Sequence, residues 1–141
     1  MSVKGSCLCG SIKFRILRSH LAAMHCYCQM CRQAHGGAFS THVFMRADQF
    51  ELLSGQLRLY PSSEQGRREF CGKCGSHVKV HGQTNDGSVS VPAGLLDSDA
   101  TINVVGHIFV TDKVTWYEIS DSLPQHPYWP QGVEHTHPLS T

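Results

Sequence analysis

Along much of the chain, apolar and polar residues alternate one for one. Ile12, Phe14 and Ile16 stand against Lys13 and Arg15, the period-two pattern of a strand with one buried face. Residues 39–44, 56–60, His77–His81, 88–91, 101–110 (interrupted by Gly106) and 114–119 give further strands of this alternating or β-branched kind. Residues 32–34 fit a short helix stopped at Gly36-Gly37, whereas residues 47–53 are too short to separate helix from strand. Ser54-Gly55 and Asn85-Asp86-Gly87 read as turns, the second as a hairpin turn. Residues 61–66 form a loop by composition, and prolines at 124, 127, 130 and 138 predict an irregular tail from about residue 123. No repeat or linker divides the pattern. The expectation is one mainly-β domain over residues 1–141, built on antiparallel sheet with little helix.

Composition narrows the function classes. Forty per cent hydrophobic and 16% charged residues are ordinary for a globular chain of 141 residues. No apolar run approaches 18 residues, which argues against a membrane span. The N-terminus lacks the apolar stretch of a signal peptide, so a cytoplasmic, reducing location is expected. A formal net charge of +1 gives no electrostatic footprint for nucleic acid or anionic membrane. Arg67-Arg68, the only short basic cluster, reads as a solvated strand or turn.

Seven cysteines change the picture. An odd number in a reducing compartment points to metal ligands before disulfides. Cys7-Leu8-Cys9-Gly10 precedes one predicted strand, with Gly5 and Gly10 bracketing the thiols, and Cys71-Gly72-Lys73-Cys74-Gly75 joins two others. Paired thiols at hairpin tips with flanking glycines are the recipe for a closed four-thiolate zinc site, with Gly72 and Gly75 expected at positive φ. Cys26-Tyr27-Cys28-Gln29-Met30-Cys31 then forms a three-thiolate set. A single zinc drawing on some mixture of pairs is one alternative. Another closes the three-thiolate set with His35 or His42; His25 is the poorest ligand, since neighbours in extended backbone point apart.

Three thiolates leave a zinc ion with net negative charge, a poor setting for ionising water. A soft fourth ligand suits it better, such as a substrate thiol whose pKa the metal lowers. The same residues carry a resemblance. Gly5-x-Cys7-x-Cys9-Gly10, Cys26-x-Cys28-x-x-Cys31-Arg32 and Phe70-Cys71-x-x-Cys74-Gly75, in that order, are similar to the glutathione-dependent formaldehyde-activating enzyme family, which includes centromere protein V-type domains. Gly106-His107-Ile108-Phe109, Trp116-Tyr117 and Leu123-Pro124 resemble its C-terminal half, so the likeness runs from Gly5 to about Pro130. One departure is Tyr27, where the family often has histidine between the first two thiols.

The resemblance implies a zinc-bound fold of the β-tent type. It implies a structural zinc on Cys7, Cys9, Cys71 and Cys74 and a catalytic zinc on Cys26, Cys28 and Cys31, two per chain. It also implies a carbon–sulfur lyase resembling S-(hydroxymethyl)glutathione synthase, which joins glutathione to formaldehyde. The expected partners are therefore a small-molecule thiol and an aldehyde, with His35, His42 or solvent accepting the proton. A non-catalytic, zinc-stabilised protein-binding module is the competing expectation.

Overall fold

A computed structural model describes residues 1–81 and 87–130. Two sheets carry the fold. The smaller joins β1 (Val3–Ser6), β2 (Lys13–Ile16) and β5 (Phe50–Ser54) in the order β1-β2-β5. The larger runs β10-β3-β4-β9-β8-β7-β6. Its strands are β3 (His20–Cys26), β4 (Ser40–Arg46), β6 (Leu57–Pro61), β7 (Arg67–Cys71), β8 (His77–His81), β9 (Ser88–Pro92) and β10 (Thr101–Ile108). The only α-helix among the described residues, α1, spans Gln29–His35, so the protein is mainly β with little helix.

The alternation read from the sequence is what the sheets bury. Phe14 and Ile16 of β2 meet Leu21 and Ala23 of β3, Val43 of β4, Val78 of β8 and Val91 of β9 in one cluster that ties the two sheets together. Full burial of a side chain such as Phe14 stabilises by roughly 1.5–3 kcal/mol. Residues 47–53 resolve into a single 3₁₀ turn followed by β5.

Three expectations need correction. The larger sheet is mixed, because β10 lies parallel to β3, pairing Thr101 with His20 and Ile108 with Cys26. Alternation sets which face is buried and says nothing about strand direction, and the long chain between β3 and β10 supplies the crossover that a parallel pair requires. Residues 114–119 form no strand, and after a single 3₁₀ turn (Val110–Asp112) beyond β10 the backbone is irregular, well before residue 123. In place of a further strand, the tail packs across β10, with His107 N–H donating to Pro124 O (2.9 Å) and His126 N–H to His107 O (2.8 Å). Thirdly, Gly5 belongs to β1 and not to the turn beyond it; a Cβ there would meet Phe14 Cζ at 2.5 Å. The hairpin turn expected at Asn85-Asp86-Gly87 falls largely outside the described residues, although β8 and β9 pair antiparallel on either side of it.

β10 ends at an unusual residue. Phe109 adopts φ 56°, ψ 38°, a left-handed conformation that a bulky side chain reaches only at a cost. Its ring packs edge-on against Tyr128 and Trp129 in a second buried cluster that includes Cys26, Cys28 and Cys31.

Candidate metal and active centre

The seven cysteines gather into two sets, and the strands explain both. The β1–β2 connection carries Cys7 and Cys9, and the β7–β8 hairpin carries Cys71 and Cys74. Their four sulfurs lie within 4.8 Å of one another, a group able to hold a metal ion. Gly10 (φ 81°) and Gly75 (φ 80°) make the turns, which an L side chain would resist. Gly72 does not share that conformation; a Cβ there would strike the Arg58 side chain at 2.5 Å, so close approach explains this glycine. Amides point at the sulfurs, from Ile12 to Cys7 (3.3 Å) and from Lys73 to Cys71 (3.4 Å). The Ser76 hydroxyl, 3.2 Å from Cys74 Sγ, leads in pulling that thiol down to about 5. Ser11 acts likewise on Cys71. Donors that stabilise thiolate are what a thiolate metal ligand needs.

The second set sits where β3 runs into α1. Cys26 ends the strand, Cys28 caps the helix with its sulfur accepting from Cys31 N–H (3.3 Å), and Cys31 lies one turn in. Gly36, at φ 77°, closes the helix after two turns. The three sulfurs also lie within 4.8 Å of one another, and all three residues are buried. Hydrogen bonds from Cys26 and then Cys28 hold the Cys31 thiol well below its ordinary range, while that sharing pushes Cys26 well above it. Cys31 is also where the polar neighbours stand. Facing that sulfur are His42 Nε2 and Arg68 Nη2, each at 3.9 Å.

Over residues 2–112 the chain matches the family described as "Glutathione-dependent formaldehyde-activating enzyme". The chain belongs to this family. A relative from Halomonas elongata, described as a "Putative glutathione-dependent formaldehyde-activating enzyme", is 29% identical over 128 residues, covering 84% of this chain and 82% of its own. A crystal structure of a Rhodobacter sphaeroides protein aligns with TM-score 0.54 at 20% identity, over 71% of this chain and 99% of that one, which speaks for the fold alone. All seven cysteines lie inside the span matched to the family.

The histidines divide by face. His42 Nδ1 lies 3.2 Å from Ser90 Oγ, which turns Nε2 toward Cys31, yet His42 does not join the mutually close group of three sulfurs. His35 stands behind it, ring centroids 5.4 Å apart, and burial foremost draws its pKa down to about 4. His25 points the other way and meets Thr41 Oγ1 at 2.8 Å. Tyr27, at the family's frequent histidine position, also points away from the sulfurs. Its hydroxyl donates to His107 Nδ1 (2.8 Å), whose Nε2–H donates to Asp121 (2.9 Å). This chain of bonds ties the cysteine segment through β10 to the tail.

A cleft of about 590 Å³, with no cysteine in its described lining, approaches the buried sulfurs through Arg68, whose Nη2 lies 3.9 Å from Cys31 Sγ. Met30 and Ala34 of α1, Tyr60 of β6, Arg68 and Phe70 of β7 and His77 of β8 line it. Arg68 is only 3% exposed, which overturns the solvated reading of Arg67-Arg68. Strand alternation separates the two: Arg67 faces solvent, and Arg68 shares a face with Phe70 beneath α1. The period-two pattern of β7 held that signal. The His107–Asp121 pairing had none, because it joins a strand to irregular backbone. No helix among the described residues is long and apolar enough to cross a membrane.

Proposed function

We propose that the protein adds a thiol, glutathione as the family description suggests, to formaldehyde or a related small electrophile. In this reaction a sulfur–carbon bond forms, the carbonyl π bond opens, and the thiol proton ends on oxygen, so neither oxidant nor reductant is needed. The carrying observation is a converging set of three buried thiols with no fourth cysteine to close it, set beside a ligand-sized cleft. The donor set fits zinc, held by Cys26, Cys28 and Cys31, with a second zinc held structurally by Cys7, Cys9, Cys71 and Cys74. Zinc at the three-thiolate centre would favour the thiolate form of an incoming thiol.

The chain's own groups supply the rest. Met30, Tyr60 and Phe70 wall the cleft that a substrate would occupy. His42, held by Ser90 with Nε2 beside Cys31, is the group placed to take or return a proton there. His35 serves less well, because an imidazole drawn down to about 4 is a weak base at neutral pH. Holding thiol and aldehyde together in the cleft adds proximity.

The test is a screen of thiols against aldehydes on zinc-replete protein, with Cys28→Ser as control. Thiol- and aldehyde-dependent turnover that disappears in Cys28→Ser is expected. Equal rates in both proteins would remove the centre from the chemistry and favour a binding module.

A further inference from the structure

Arg68 presents a buried charge whose Nη1 is uncommitted. Its strand position, opposite Tyr60 on one side and Val80 on the other, holds the guanidinium at the cleft floor. Nη2 faces Cys31 Sγ at 3.9 Å, a long contact, and Nη1 is buried with no hydrogen-bond partner among the described residues. Leaving a buried charged donor unpaired is costly. The neighbouring acid cannot satisfy it, since Glu69 alternates to the other face and engages His81 (3.0 Å) and Lys79 (3.6 Å). Among the described residues no carboxylate lines the cleft. His77, also on the cleft wall, has an unpartnered buried Nδ1, and burial foremost lowers its pKa. Among the described residues the floor therefore offers an uncompensated guanidinium and no acid, with Arg68 Nη2 3.9 Å from Cys31 Sγ.

We propose that Arg68 selects the substrate: the cleft takes a thiol that also carries a carboxylate, which binds Arg68 Nη1 while the thiol reaches Cys26, Cys28 and Cys31. This rests on reading that centre as thiol-activating. A guanidinium suits the task because carboxylate oxygens match its planar donors, and its closeness to Cys31 requires both groups on one small molecule. A purely structural Arg68, present only to balance the thiolates, would not distinguish an acid from its ester.

The experiment compares glutathione, glutathione diethyl ester and 2-mercaptoethanol on cobalt-substituted protein, reading the thiolate–cobalt absorption and the affinity of each thiol. Wild type is expected to bind glutathione about tenfold more tightly than the ester. Arg68→Met is expected to bind the two alike, and Arg68→Lys to keep part of the preference. In steady state, Arg68→Lys is expected to raise KM for glutathione with kcat little changed. If Arg68→Met fails to hold metal, the Arg68→Lys comparison decides. Equal affinity of wild type for acid and ester, or a full preference surviving both substitutions, would overturn the inference while leaving the thiol-activating centre standing. An absorption band unmoved by all three thiols would sink that underlying reading, and this inference with it.

Discussion

Cys9 is exposed and Cys74 half-buried, whereas Cys26, Cys28 and Cys31 are 2%, 0% and 1% exposed. The four-sulfur set, the one expected to be closed, reaches the surface on two hairpin tips through Cys9 and Cys74, with Cys7 and Cys71 buried behind them. The three-sulfur set, the one expected to be open, lies inside. Exposure and coordinative openness are thus separate properties. At the surface, four sulfurs lie within 4.8 Å of one another, as many donors as a tetrahedral zinc takes, and amides and serine hydroxyls surround them. In the interior there are three sulfurs and no fourth cysteine, and His42 and the cleft-lining Arg68 stand on the side of Cys31. On the proposed reading, what marks the interior set for chemistry is its fourth position, free of cysteine, together with the polar groups beside Cys31, rather than access for solvent.

Substitution in each set should break the comparison in opposite ways. Cys7→Ser is expected to have the largest effect on folding, since Cys7 clamps two hairpins from different sheets and structural zinc sites carry folding energy outright. We expect one zinc lost and a melting temperature lower by roughly 10 °C or more, read by metal analysis and calorimetry. Cys28→Ser should reverse the pattern, abolishing turnover while the melting temperature moves much less. A Cys28→Ser protein that melts as early as Cys7→Ser would show that both sets are structural.

The surface set was legible from sequence because its whole logic is local: two thiol pairs, flanking glycines and strands on either side. The alternation of β2 and β8 likewise announced which residues face the core, whereas β3 was not among the strands read from the pattern. Three things were not legible. The parallel pairing of β10 with β3 depends on where the chain returns, and no residue pattern records that. Arg68 was misread because adjacency to Arg67 looked like a surface patch, when adjacent strand residues face opposite ways. Tyr27 was noticed as a departure from the family, but its partner His107 lies 80 positions away.

That last pairing offers a finer test of the interior set. Tyr27→Phe keeps the ring and removes the hydroxyl, leaving His107 Nδ1 buried with its partner gone. A cost of about 1–3 kcal/mol is expected in denaturant titration. Because Tyr27 separates Cys26 from Cys28, cobalt bound to the interior set should exchange faster, while cobalt on the surface set should not change. Equal acceleration at both sites would mean that the bond supports the whole fold and not the cysteine segment.

The smallest expected effect concerns protons on the same side of the molecule. In the folded protein His35 titrates at about 4, drawn down first by burial and then by His42, against about 6.5 in an unfolded chain. Between those values the unfolded chain binds a proton that the folded protein refuses, so stability falls as pH falls from about 6.5 to about 4. Above 6.5 both states are neutral and the penalty vanishes. His35→Gln removes this group, so stability measured on zinc-saturated protein should decline less steeply than wild type on acidification across that window. Part of the decline must remain, because burial also lowers His25, His77 and His81. At neutral pH the variant keeps a polar group but loses an aromatic contact with His42 and His77, so a small uniform offset is expected beneath the pH effect. An unchanged acid slope would show that His35 charges freely in the folded protein, and would restore it beside His42 as a candidate base at the interior centre.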